Sequence, residues 1–406
     1  MTEPPAATRG YSKSSSRWIT LAACFLVVTI TNGAGLSFGV FLNPFRESFS
    51  ATSAAVSGAY SITLWVFAFC GVVSGWAVDT YGPRITVMVG ALILGSGYLL
   101  TGFVESLWQL YLTCALIGIG LSSGYVPTMT TISRTFVKRR GFALGLNSAG
   151  IGFGPLIMAP FQTHLILLRG WRFAYRVTAC IVGITIPVAL LLKKHPKNQG
   201  EGSENRAVTP FSTLRKMTWV FTSRAFWLFC LLFLAIGVSV QTVMAHIVAY
   251  AQTQGETPMI AAAVLSSVTG ASMIGRIFMG TASDWIGRQK ALVLCTFFEG
   301  LMLLWLMAAS STWSLIIFGL IFGFFYGGHA PQLPALIGET LGFENMGAIL
   351  GVINLFWGIG SAIGPLATGY LFDVTGSYRG GFMIATALMF TASATGLFLG
   401  PSKTSE

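Results

Sequence analysis

The chain has 406 residues, of which 54% are hydrophobic and 9% are Asp, Glu, Lys or Arg, with a mean hydropathy of +0.72. A soluble domain carries roughly 25% charged residues, so this composition excludes a soluble enzyme of ordinary kind. The formal net charge of +11 is compatible with a nucleic-acid partner only if the basic residues cluster, and their placement argues against that.

Apolar runs of membrane-spanning length recur along the whole chain: 18–43, 54–78, 85–104, 107–133, 141–168, 173–192, 224–251, 259–283, 289–310, 312–338, 344–372 and 379–400. They predict twelve transmembrane helices and an all-α membrane protein. The short alternating segments of a lipid-facing barrel are absent. Residues 1–17 read as a polar tail, and the first apolar run is too long for a cleavable signal peptide. A bundle over 18–192, a linker over 193–223, a second bundle over 224–400 and a short tail over 401–406 follow; the linker is rich in Lys, Gly, Ser, Asn and Glu. With the N-terminus inside, eighteen of the 24 Lys and Arg fall on the inner side and five on the outer. That asymmetry predicts cytoplasmic termini in a plasma or inner membrane, and it makes the basic balance a matter of topology rather than nucleic-acid binding.

The remaining cation is Arg276, midway along the otherwise uncharged stretch from Met259 to Ser283. A charge at that depth costs at least ~2.5–3.5 kcal/mol on insertion scales. It is tolerated where it faces a wet cavity or a partner, so Arg276 points to an anion on a pathway through the membrane. Thr269, Ser272, Arg276 and Gly280 form one polar stripe at helical spacing.

The two bundles repeat each other. Gly75-x-x-x-Asp79-x-x-Gly82-Pro83-Arg84 recurs as Gly280-x-x-x-Asp284-x-x-Gly287-Arg288, Gly124-x-x-Pro127 as Gly328-x-x-Pro331, and Gly141 and Gly145 as Gly347 and Gly351, at offsets of 204 to 206. Gly154-Pro155 recurs as Gly364-Pro365 at 210, about one helical turn later. The duplication predicts two pseudo-symmetric six-helix halves. Its Gly spacings suit close helix packing in lipid. The Asp79 and Asp284 loops, each with a cation, predict a latch between half-bundles on the inner side that breaks when that side opens.

On these residues the chain resembles the major facilitator superfamily over essentially its full length, which implies alternating access around a midplane site. The run Arg134-Thr135-Phe136-Val137-Lys138-Arg139-Arg140-Gly141-Phe142-Ala143-Leu144-Gly145-Leu146-Asn147-Ser148-Ala149-Gly150 is similar to the helix 4–5 element of the monocarboxylate transporter family, including bacterial lactate and pyruvate transporters. Arg276 falls where that family, and more distantly the oxalate–formate antiporters, keep a carboxylate-binding arginine. Two features depart from the pattern. Ser272 stands where animal members carry an aspartate, and the segment Asn32–Asn43 lacks their lysine. The segment Asn354–Gly364 also lacks the helix 11 lysine of the dicarboxylate exchangers. One intramembrane cation balances a monoanion better than a dianion.

The resemblance implies that helices 1, 4, 5, 8, 10 and 11 line the cavity. Candidate substrate-binding residues are therefore Arg276, Tyr125, Tyr326, His329, Asn32, Asn147, Asn354, Phe356, Trp357 and Ser272. The Asn residues serve equally as interhelical hydrogen-bonding groups and the aromatics as core. Candidate proton carriers are His246, Glu299 and His329; an interface histidine and a neutral buried glutamate are the competing structural roles. Gly75, Asp79, Gly82, Arg84, Gly280, Asp284, Gly287 and Arg288 are the gating candidates. No nucleotide loop, zinc spacing or catalytic dyad occurs, so neither enzyme activity, metal nor cofactor is expected. The implied activity is proton-coupled symport of a small monocarboxylate by a monomer in the bilayer. Proton-independent exchange of organic anions and a transport-dead receptor are the alternatives. The six Cys lie in apolar runs and read as free and buried.

Overall fold

A computed structural model describes residues 14–51, 53–192, 218–309, 311–343 and 345–399. The sequence-predicted tails lie outside them, apart from Ser14–Arg17 of the first, as does the linker before Thr218. Among the described residues every regular element is helical.

Among the described residues twelve helices are long and apolar enough to cross a membrane: α1 (Arg17–Phe41), α2 (Gly58–Tyr81), α3 (Pro83–Thr101), α4 (Leu107–Thr135), α5 (Arg140–Arg169), α6 (Trp171–Leu190), α7 (Arg224–Thr253), α8 (Met259–Ile286), α9 (Arg288–Ala308), α10 (Thr312–Leu341), α11 (Met346–Thr375) and α12 (Arg379–Leu397). The chain is an all-α membrane protein of two pseudo-symmetric six-helix halves. Three details differ from the sequence prediction. The first span closes in a 3-10 turn, Ser37–Phe41, and continues into a separate short helix, Leu42–Phe49. The end of the predicted linker is helical over Thr218–Thr222. Span α10 is two helices, Thr312–His329 and Gln332–Leu341. Pro331 lacks the N–H that would continue the ladder, whereas its counterpart Pro127 sits inside an unbroken α4.

Most duplicated glycines have the same role in both halves; Gly124, against Thr31 of α1, and Gly328, against Met279 of α8 and Cys295 of α9, do not. Gly154 lies against the Thr29 carbonyl where α5 crosses α1, and Gly364 against the Val238 carbonyl where α11 crosses α7. A Cβ at either position would collide with backbone. Between the halves, Gly75 and Gly351 of one pair meet Gly347 and Gly71 where α2 crosses α11, while Gly141 and Gly145 meet Gly280 and the Arg276 carbonyl where α5 crosses α8. Small residues let these backbones touch, which is how helices associate where lipid removes the hydrophobic drive. Four of the cysteines (Cys24, Cys114, Cys230 and Cys295) are buried; Cys70 is half-buried and Cys180 is exposed on α6. The expectation of general burial therefore fails for those two.

Candidate functional site

Helix α8 is well delimited. The Thr257 hydroxyl caps it by accepting from the Ile260 N–H at 3.4 Å, Pro258 follows, and Gly287 ends it with φ of 91°, a left-handed value that favours glycine. Arg276 lies ten residues before Ile286, about 15 Å into the helix. Its exposure is 4%. The guanidinium Nη1 donates to the Ser148 carbonyl of α5 at 3.0 Å, and Cζ sits 5.6 Å from the Tyr326 ring centroid. Nε is buried with no partner, and none of the ion pairs among the described residues involves Arg276. A cation with an orphaned, buried N–H is costly. A carboxylate arriving at the Nε edge satisfies both the charge and the donor.

Two further groups extend from this point. The Tyr326 ring lies 5.7 Å from the ring of His329, whose Nδ1 is 2.7 Å from Glu299 Oε1. Glu299 is fully buried and its Oε2 has no partner. Tyr125 on α4 is within electrostatic range of both Arg276 and Tyr326. The structure thus brings together Arg276, Tyr125, Tyr326, His329 and Glu299.

Other candidates make their contacts elsewhere. Asn32 donates to the Val28 carbonyl of its own helix at 3.0 Å. Asn147 turns toward α4, reaching Thr128 Oγ1 at 3.4 Å and Met129 Sδ at 3.5 Å, and leaves its Oδ1 without a partner. Ser272 donates back to the Thr269 carbonyl at 2.7 Å, and its own carbonyl meets Gly327 of α10. Phe356 packs on Trp227 at the start of α7, with ring centroids 6.3 Å apart. Trp357 is half-buried on α11, and its carbonyl lies close against Gly237. Asn354 is buried on the same helix. His246 is 3.0 Å from the Pro365 carbonyl and stacks near Tyr378, so it joins α7 to α11 instead of approaching Arg276.

Asp79, Asp284 and Arg288 meet their partners at the end of the bundle where α1 begins and α12 ends. Asp79 accepts from the Gly347 and Ala348 N–H groups at 3.2 and 2.8 Å, at the start of α11. Asp284 accepts from Gly141 and Phe142 at 2.9 and 3.2 Å, at the start of α5. Each carboxylate therefore caps a helix of the opposite half, where free N–H groups and the helix dipole favour an anion. The capped helices begin after Arg139 and Asn345, repeat-equivalent residues with φ of 58° and 51°. Asp284 pairs with Arg288 at 3.0 Å, as the repeat suggests. Asp79 instead pairs with Arg134 at 2.7 Å, and Arg84 is not its partner. The extra Pro83 moves Arg84 one residue, about 100°, around the helix relative to Arg288. Arg134 also donates to the Phe343 carbonyl, and Glu339 receives both Arg140 at 3.1 Å and Arg288 at 2.7 Å. Arg134, Arg140 and Glu339 escaped sequence reasoning as members of this ion-pair cluster, because neither their spacing nor their composition distinguishes them from ordinary loop charges.

Comparison with known proteins gives this geometry a context. The family model described as Major Facilitator Superfamily matches residues 21–298 and 264–406. Monocarboxylate transporter 13 of Rattus norvegicus is 28% identical over 400 residues, covering 97% of this chain and 89% of the relative. Monocarboxylate transporter 12 of Homo sapiens is 26% identical, covering 93% and 79%. The agnestins efflux protein AgnL12 of Paecilomyces divaricatus is 26% identical, covering 87% and 80%. Among solved structures, the transporter FucP in the outward conformation superposes with a TM-score of 0.78 at 17% identity over 95% of this chain and 99% of FucP. The proton:xylose symporter XylE reaches 0.79 at 12% identity, over 94% and 95%. With both the duplicated bundle and the family match in hand, the chain belongs to the major facilitator superfamily and is a transporter, not an enzyme.

Proposed function

We propose that this protein is a proton-coupled symporter of small monocarboxylates of the lactate and pyruvate type, working as a monomer by alternating access. In this reading it lies in the plasma (inner) membrane with both termini in the cytoplasm, as the asymmetry of basic loops favours. The observation that carries the substrate class is the Arg276 guanidinium: mid-span, buried, held by one neutral carbonyl, and with its Nε left open. A guanidinium edge offers two parallel N–H groups that match one carboxylate. Its single charge is neutralised by one anion, which lowers the cost of enclosing the site. The names of the relatives, monocarboxylate transporters 12 and 13, support the same substrate class.

Within this reading, Tyr125 and Tyr326 flank the bound acid, and the Asp79 and Asp284 caps hold the cytoplasmic side closed while substrate enters from outside. Their release lets the halves rock. Uptake of radiolabelled L-lactate into proteoliposomes is the direct test. R276A is expected to lose about 2–5 kcal/mol of binding, the usual loss for truncating one member of a buried charge pair, and with it measurable uptake. Wild-type uptake by R276A overturns the assignment. Uptake that requires an internal anion and ignores a pH gradient replaces symport with exchange.

A further inference from the structure

The described residues contain one mid-span cation and one mid-span carboxylate, Arg276 and Glu299. The other described carboxylates lie at helix ends: Glu47, Glu105, Glu256 and Asp373 toward one face of the bundle, Asp79, Asp284 and Glu339 toward the other. Tyr326 and His329 link the two mid-span charges: Arg276 Cζ lies 5.6 Å from the Tyr326 ring centroid, and the Tyr326 and His329 ring centroids are 5.7 Å apart. His329 in turn contacts Glu299 at 2.7 Å.

From this arrangement, and resting on the symport reading above, we infer that the His329–Glu299 pair is the binding site of the transported proton, coupled to the anion at Arg276 by charge balance across Tyr326. With neutral imidazole donating Nδ1–H to the carboxylate, the pair carries one negative charge, which offsets Arg276 when the substrate site is empty. A monocarboxylate on Arg276 cancels that cation. The negative pair is then left uncompensated in a low-dielectric interior where salt does not screen it. One proton bound to the pair restores neutrality, as a carboxylic acid beside imidazole or as a carboxylate beside imidazolium. Linkage makes the effect reciprocal, so a protonated pair also favours the anion. The empty and the doubly loaded sites are both neutral and free to reorient. A site loaded with anion alone carries a net charge, and closing it is penalised.

The surroundings fit this role. Glu299 Oε2 is buried without a partner, so the carboxylate is not locked by a second hydrogen bond. The titratable groups beside the pair are Cys295 one turn earlier on α9 and Tyr326 on α10; Arg276 on α8 and Tyr125 on α4 adjoin Tyr326 rather than the pair itself. Helix α12 faces α9 with Phe390, Ser393 and Gly396, none of them charged. Gln332, below the α10 break, is neutral and donates to the Met279 carbonyl at 3.1 Å. The pair also accounts for Ser272, which occupies the position where the resemblance leads one to expect an aspartate: the compensating carboxylate comes from α9 instead.

The test uses full-length protein in proteoliposomes with radiolabelled L-lactate, measuring accumulation under an imposed pH gradient and lactate–lactate exchange at equal pH. E299Q mimics a permanently protonated pair. It is expected to exchange lactate with little dependence on pH and to lose gradient-driven accumulation and lactate-dependent proton influx. Accumulation by E299Q with the wild-type pH profile overturns the proposal, as does parallel loss of exchange and accumulation in a variant that still binds lactate by thermal shift. A measurement on wild-type protein covers the case in which E299Q does not fold. Adding L-lactate to detergent-solubilised protein in weak buffer should draw one proton from solution per lactate bound, and the absence of that uptake overturns the assignment. If wild type exchanges lactate yet never accumulates it under a pH gradient, the symport reading itself fails. If wild type accumulates and E299Q does too, only the role of the pair fails.

Discussion

At the scale of the residue, Arg276 is defined by what it lacks. Among the described residues its one hydrogen bond is to the Ser148 carbonyl, and its Cζ lies 5.6 Å from the Tyr326 ring centroid. A lysine there keeps the charge but not the fork. R276K is therefore expected to weaken L-lactate binding by about 1.5–3 kcal/mol, the range for a hydrogen bond to a charged group, read as a smaller ligand-induced rise in melting temperature. The Tyr326 ring, rather than its hydroxyl, is what faces the guanidinium. Y326F should stay near wild type, while Y326L should lose about 0.5–2 kcal/mol of lactate binding, the range of a cation–π contact. Equal losses in the two variants assign the effect to the hydroxyl instead.

At the scale of the element, the helices carrying the site are placed by glycines rather than by large side chains. Gly145 of α5 lies directly against the Arg276 carbonyl, and Gly141 against Gly280. A methyl group at Gly145 has no room while α5 and α8 are in contact at this level. G145A is expected to disfavour the closed arrangement of the end that carries Asp79 and Asp284 by about 1–3 kcal/mol, as overpacking does. Spin labels at Lys138 and Lys290, on opposite halves, should show a longer mean separation in G145A than in wild type. An unchanged distance distribution counts against this account. The broken α10 has a separate consequence: it ends the long helix at His329, so the histidine of the proposed proton site sits at a helix terminus, followed by Ala330 and Pro331.

At the scale of the whole molecule, two carboxylates each cap a helix of the opposite half, and both bias one equilibrium. Asp79 and Asp284 lie on symmetry-related loops and cap the symmetry-related helices α11 and α5. D79A and D284A are each expected to shift the equilibrium toward opening by about 0.5–2 kcal/mol, the worth of a helix cap. The double variant should come close to the sum, because the two caps share no partner. The same pair of spin labels measures all three. A strongly sub-additive double variant indicates that one latch alone holds the end closed.

Much of this was legible in the chain itself. The number of spans, the duplication and the cation inside the membrane follow from apolar run lengths and a fixed offset, which are properties of local sequence. The glycines and aspartates of the repeat were also readable, because duplication marks residues that both halves need. The partners were not. Asp79 reaches Gly347 across 268 residues, Arg276 reaches Ser148 across 128, and His329 meets Glu299 across 30. Asn32, Phe356 and His246 looked equivalent to the site residues, yet each turned to a neighbour on its own helix or at another crossing. A helical period fixes which face a side chain shares with its neighbours along the chain. Which other helix that face meets, and at what height, is set by how the twelve helices cross, and only the tertiary structure decided that.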